Sequence, residues 1–282
     1  MNKNTAKTRK ILGKIGLGIL ILLLIVMVGF PLLWMALSSF KPPVELFKSP
    51  PTFFPKDWSL EWYISAFSDL TVVRYFWNSF IIAIATMLIN VVLGTLAAYS
   101  LTRFEYPGRK LIAAGVLTAY CIPPIMLMIP LYRIIAGIGL SGKLLGVIIG
   151  HLTVTFPFST WLLMTFFKKI PREIEEAALV DGATDFQTFY KVNLPLCVPG
   201  ILSTGIMAFI FSWNEYLLSS VLISKDTMKT LTVGLANFIS STEVNWGVIM
   251  ALGTATTIPI VIMFSLIQKH FVEGMTAGAV KG

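Results

Sequence analysis

The sequence predicts an all-α integral membrane protein that crosses the bilayer six times, and three observations carry that expectation. Of 282 residues, 56% are hydrophobic and only 13% charged, where soluble domains average about 25% charged; in water such a chain would expose large apolar patches. Six apolar stretches reach the length of about 20 residues that a helix needs to cross a hydrocarbon core. Lys and Arg also gather at alternate connections, as the positive-inside rule requires. An ordinary cytosolic enzyme, a disordered chain and a disulfide scaffold are excluded.

The stretches are 15–37, 77–101, 111–131, 144–167, 198–222 and 246–267. The first follows Lys3, Lys7, Arg9 and Lys10 as a signal peptide would, but its 23 residues exceed the 7–15 or so of a signal's apolar region. It reads as a retained span. With residues 1–14 in the cytoplasm, the inner segments 1–14, 102–110, 168–197 and 268–282 hold 14 of the 22 Lys and Arg. The outer segments 38–76, 132–143 and 223–245 hold 8. The chain thus divides into a cytoplasmic N-terminal segment (1–14), a transmembrane domain (15–267) and a cytoplasmic C-terminal tail (268–282), with both termini inside a plasma (inner) membrane. The net charge of +8 is then a topology signal, and no basic soluble face suggests nucleic acid.

Breaks at Pro31, Pro123, Pro124, Pro130 and Pro157, with Gly146 and Gly150, suit a helix bundle around a pathway, where neighbours or cavities satisfy freed backbone groups. Cys121 and Cys197 lie in apolar surroundings and read as buried hydrophobes. His151 and His270 stand apart without clustered carboxylates, so no metal site is expected.

The loop 168–197 carries most of the information. Pro171 suits a first helical turn, Glu173, Glu175 and Glu176 complement the positive end of a helix dipole, and Gly182 can take the positive φ that stops the helix. Thr184 with Gln187 fits a capping box for a second helix, with Phe186, Phe189 and Tyr190 on one side and Pro195 ending it. A helix lying on lipid would favour Lys and Arg. These two instead carry Glu173, Glu175, Glu176, Asp181 and Asp185 against Arg172 and Lys191, which favours a basic protein partner.

Glu176-Ala177-Ala178, then Gly182, then Val192-Asn193-Leu194-Pro195 fit the pattern E-A-A-x3-G-x9-I-x-L-P with Val for Ile. This resembles the signature loop of permease subunits of binding-protein-dependent ABC importers. Asn78-Ser79, Ala97-Ala98-Tyr99, Arg103-Phe104 and the ending from Gly274 to Gly282 are similar to the carbohydrate branch, maltose-type permeases in particular. The resemblance implies a six-transmembrane-helix permease with a cytoplasmic coupling helix-turn-helix. It implies a second permease (a heterodimer), two ATPase subunits, an extracytoplasmic solute-binding protein and a sugar substrate. ATP and Mg would bind the partner ATPase, and this chain would hold no cofactor. By resemblance, Glu176, Ala177, Ala178, Asp181, Gly182, Leu194 and Pro195 form the ATPase-coupling site. Gly274, Gly278 and Lys281 mark a tail that reaches the ATPase.

Other features are weaker. The run from Gly137 to Leu144 falls short of a P-loop because Leu144 stands where Ser or Thr is required and no strand precedes it. Glu215, with Trp213 and Asn214, marks either a stretch of the substrate pathway or an interfacial belt. Asn78, Asn90 and His151 read as interhelical hydrogen bonders, with sugar contact as the alternative. The Pro- and Trp-rich segment 40–76 is either a docking face for the binding protein or packing over span ends. Alternatives to a sugar importer are an ABC permease for glycerol phosphate or a peptide, and a secondary transporter, against which the single intramembrane Glu and the lack of repeated halves argue.

Overall fold

A computed structural model describes the backbone of residues 3–240 and 244–279, and side chains within 14–239 and 244–266. All regular structure among the described residues is helical. The chain forms two compact units, Met1–Asp69 with Phe238–Thr257, and Leu70–Asn237 with Ile258–Gly282.

The first unit begins with α1 (Lys3–Ser38), whose apolar part Gly16–Ser38 is long enough to span a bilayer. The short helices α2 (Pro43–Leu46) and α3 (Glu61–Ser68) follow. The chain from Ser38 to Ser68 is folded around polar contacts. Buried Lys41 donates to the Thr52 carbonyl at 2.5 Å and sits 4.5 Å from the Trp34 ring centre. The Glu45 carboxylate accepts from Thr52 Oγ1 at 2.5 Å and from the Lys56 backbone N–H at 3.0 Å. The Thr52 hydroxyl is the main reason that the Glu45 carboxyl titrates below the usual glutamate value. Trp62 lies flat on Gly247, where an added Cβ would come within 2.1 Å of the ring.

The second unit contains α4 (Leu70–Arg103), α5 (Arg109–Tyr120), α6 (Pro124–Gly137), α7 (Leu144–Phe167), α8 (Arg172–Val180), α9 (Asp185–Thr188) and α10 (Leu194–Trp213). It continues with α11 (Leu217–Leu222), while α12 (Leu231–Ser240) and α13 (Trp246–Ala279) complete the chain. Its core is α4 packed between α7 and α10. Asn90 donates to Thr155 Oγ1 at 2.9 Å, Gly94 lies against Leu163 and Ser159, and Arg103 donates to the carbonyls of Phe167 (2.8 Å) and Ile170 (3.0 Å). Early meets early and late meets late, so α4 and α7 run parallel. Helix α10 runs against them: its end, Trp213, stacks edge-on with Phe76 near the start of α4, and its start places Cys197 with Ala98 and Tyr99. The approach depends on glycine, since a Cβ on Gly200 would fall 2.4 Å from Phe166 Cγ and one on Gly205 2.9 Å from Val91.

Two expectations are corrected. The stretch 111–131 is not one helix: it breaks at 121–123, and α5 and α6 meet at 105°. Pro123 and Pro124 remove two backbone donors, and proline drives the preceding residue out of the α region, so α6 restarts with Pro124 in its first turn. Because α4 and α7 are parallel, the chain between them crosses once, and the bent pair counts as a single broken span. With it the candidate spans number six. The run from Gly137 to Leu144 is the turn from α6 into α7, with Gly139 and Gly142 both at φ +72° and the Gly142 N–H bonded to the Leu222 carbonyl.

The second correction concerns Pro195. It does not end the helix that begins at Asp185. A π-helical turn over Phe189–Asn193 joins α9 to α10, and the helical stretch Asp185–Trp213 has 29 residues. Pro195 lies directly after the π turn, at the second residue of α10, where its missing N–H interrupts the helical bonding register without ending the helix. At its far end, the predicted span 198–222 is interrupted at 214–216, and α11 restarts beyond it.

Candidate coupling surface and helix-break site

The loop between α7 and α10 is built by two capping motifs back to back. Helix α8 starts after Pro171, with Glu173 and Glu175 in its first turn. It closes in a Schellman motif: the Gly182 N–H bonds the Leu179 carbonyl and the Ala183 N–H bonds the Ala178 carbonyl, both at 3.0 Å. Gly182 adopts φ +88°, a conformation open to glycine at little cost. Thr184 then opens α9 with a full capping box, its hydroxyl accepting from the Gln187 N–H (3.3 Å) and its own N–H donating to Gln187 Oε1 (3.0 Å).

This leaves apolar side chains facing outward. Val180 is 87% exposed, Phe186 75% and Tyr190 61%, with Glu176, Ala177, Asp181 and Gly182 exposed around them and Ala178 half-buried. Phe186 and Tyr190 share this open environment, but Phe189 does not: it packs on Tyr99 at 4.6 Å between ring centres. At the root of α8, Glu175 turns inward. Its Oε1 lies 2.5 Å from Arg103 Nε. Burial pushes the Glu175 carboxyl above the usual glutamate value, with the Arg103 charge opposing it. Since Arg103 also holds the carbonyls that end α7, one guanidinium ties α4, α7 and α8 together.

Leu194 is half-buried and Pro195 exposed at the start of α10, and Leu194 borders an apolar groove with Thr95 and Val198. Gly274 and Gly278 lie on α13, and Lys281 falls outside the described residues.

The second polar site fills the break after α10. The Glu215 carboxylate accepts from the backbone N–H groups of Leu218 (2.6 Å) and Ser219 (2.9 Å) and from Ser219 Oγ (2.8 Å). His151 Nε2 lies 3.0 Å from it, and His151 Nδ1 lies 2.7 Å from Ser212 Oγ. A carboxylate only accepts, so the Nε2–H faces Glu215, and Nδ1 shares a hydrogen bond with the Ser212 hydroxyl. Trp213 is 1% exposed and stacks on Phe209. Asn214 is exposed and caps the end of α10. Asn78 donates to the carbonyls of Thr227 and Lys229 in the connection between α11 and α12.

Sequence reasoning found the capping chemistry because both motifs are local. It missed the Arg103–Glu175 and His151–Glu215 pairs, which join residues 72 and 64 positions apart. Among the described residues no group of three or more His, Cys, Asp or Glu could hold a metal ion.

With this geometry described, comparison assigns the class. Residues 90–277 match the family described as the inner membrane component of binding-protein-dependent transport systems, and the chain belongs to that family. It is 35% identical over 279 residues to the inner membrane ABC transporter permease protein YcjP of Escherichia coli, covering 98% of this chain and all of that one. It is 36% identical over 256 residues to the trehalose/maltose transport system permease protein MalG of Thermococcus litoralis, covering 90% and 91%. A solved bacterial ABC transporter that imports the acidic polysaccharide alginate shares the fold, with a TM-score of 0.81 over 96% of this chain and 99% of that one at 22% identity. The chain is a multi-pass ABC transporter permease.

Proposed function

We propose that this chain is the membrane subunit of an ATP-driven sugar importer, with both termini in the cytoplasm. A second permease completes the pathway, two ATPase subunits sit below the pair with one docked on the α8–α9 surface of this chain, and an extracytoplasmic binding protein delivers the sugar. One observation carries the reading: Val180, Phe186 and Tyr190 stand exposed on two well-capped helices whose root is fixed to α4 and α7 through Glu175 and Arg103. A surface left open yet held rigid suits a docking element. The acidic rim of Glu176 and Asp181 favours a basic partner. Relatives named for trehalose and maltose support sugar as the solute class.

In this reading Glu176, Ala177, Ala178, Asp181 and Gly182 meet the ATPase, the two alanines permitting close approach. Leu194 and Pro195 pass its movement into the fifth span. The tail bearing Gly274, Gly278 and Lys281 reaches the same partner, and ATP and Mg bind there. Closure of the ATPases shifts a two-state equilibrium between inward-facing and outward-facing arrangements. Glu215, Asn214 and Trp213 shape the break in the fifth span, which borders the pathway. The secondary-transporter alternative does not fit a family defined by binding-protein-dependent transport.

The test is affinity purification of the full chain from its own membrane in mild detergent, beside a Gly182→Val variant. A second permease and a P-loop ATPase should co-purify. ATP hydrolysis should rise when binding protein and the right sugar are added, and should lose that response in the variant. Purification of the chain alone, with ion-driven transport in vesicles, would overturn the reading.

A further inference from the structure

Where α4 and α7 end and α5 and α8 begin, the chain leaves an open cleft of about 550 Å³. Five cations line it, Arg103, Arg109, Lys110, Lys168 and Arg172, against a single carboxylate, Glu173. The rest of the lining is largely apolar and includes Ala113 and Met164, each one turn into a membrane helix. Arg103 is committed to Glu175 and to two carbonyls, and Arg109 donates to the Phe104 carbonyl at 2.8 Å. Lys110 and Lys168 are exposed, and neither has an ion pair or hydrogen bond among the described residues. Positive charge is thus concentrated at the boundary where transmembrane helices end, beside an apolar floor, with little in the chain to balance it.

We propose that this cleft binds the headgroup phosphate of an anionic phospholipid, held by Lys110, Lys168 and Arg172, with its acyl chains running over Ala113 and Met164 between α5 and α7. Basic clefts between transmembrane helices suit this chemistry, since the site satisfies charge and apolar surface together. A free phosphate would match the cations and leave the floor uncovered. An acidic protein would have to approach past Glu173, Glu176 and Asp181 on the adjoining helix. A neutral sugar would leave the cations unpaired. The inference needs only the bilayer and the helix ends, and stands apart from the importer reading.

Native mass spectrometry of the full chain, purified with its co-purifying partners from vesicles of phosphatidylcholine or of phosphatidylcholine with phosphatidylglycerol, tests it. The wild-type chain should retain phosphatidylglycerol in preference to phosphatidylcholine. Retention should fall about fivefold for each lysine replaced in Lys110→Gln and in the Lys110→Gln/Lys168→Gln pair. The single variant, at an exposed helix start, gives a readout if the pair inserts poorly. Excess inorganic phosphate should not displace the lipid. Equal retention of the two lipids, unchanged retention in both variants, or displacement by phosphate would each overturn the proposal, the last making this a free-anion site.

Discussion

Glu175 and Glu215 are both carboxylates drawn in beside a basic partner, yet they do opposite work. Glu215 spends its acceptor capacity close to home: two backbone N–H groups, one hydroxyl and the His151 ring converge on it, and the result is a fixed restart of the helix at α11. Glu175 makes one dominant contact, with Arg103, and that contact bridges separate elements. The first carboxylate holds a break in place. The second joins an exposed surface to the bundle. A buried pair surrounded by local hydrogen bonds is a matter of stability, whereas a pair linking a surface to helix ends sets what moves together.

The difference yields four predictions. The largest effect belongs to Glu215→Ala, which strands the His151 N–H and two backbone donors; breaking such a buried pair costs about 3 kcal/mol. Thermal unfolding of the purified chain in detergent should show it, and Glu215→Gln, which keeps an acceptor, should cost about 1 kcal/mol. Equal losses for the two variants would mean the cap does not depend on the carboxylate's hydrogen bonds. Next comes Gly182→Val, which forces a β-branched residue to φ +88° at a local cost of about 1–3 kcal/mol. The chain should still insert and be purified, with uptake reduced to background; normal uptake in vesicles would detach α8 from coupling.

Third, Glu175→Arg and Arg103→Glu should each lower sugar-stimulated ATP hydrolysis, and the double exchange should restore part of it, because only the pairing is recovered. No restoration would make the two residues independent. The smallest effect concerns pH. Burial raises the Glu175 carboxyl above its ordinary value of 4.5, so it takes up its proton at a higher pH than a free glutamate and the tie to Arg103 weakens as pH falls through that raised value. For stability the sign is reversed: the folded chain holds this proton more tightly than the unfolded chain, so the group's contribution is present below pH 4.5 and is lost as pH rises through the raised value. Coupled ATP hydrolysis should therefore decline as pH is lowered through that raised value, relative to a Glu175→Gln variant, which should be flat over the same window. Parallel curves would remove Glu175 from the pH response.

The sequence exposed what is local and periodic. The apolar stretch 144–167 coincides with α7 to the residue, and Thr184 with Gln187 forms the capping box that their spacing predicts. Gly182 was legible because a helix followed by a glycine and then, two residues on, by a capping Thr184 marks a stop at a positive φ. The π turn at Phe189–Asn193 was not, since π and α turns differ by one hydrogen-bond register and leave no mark in hydropathy. For the same reason Pro195 read as a stop when it is an early residue of a longer helix. The bend at Pro123-Pro124 was visible as two prolines, but 105° is set by the packing of Leu131 and Ile135 against Val147, Ile148 and Leu222, which no window of sequence contains.

The π turn also has a mechanical meaning. Because it carries the helical path from α9 into α10 without a loop, Asp185–Trp213 is one continuous helical stretch of 29 residues, about 43 Å of contour at 1.5 Å per residue, with Pro195 and Pro199 inside it. Phe186 and Tyr190 sit near its start and the Glu215 break just beyond its end. One helical path therefore connects the exposed α8–α9 surface to the polar break at Glu215.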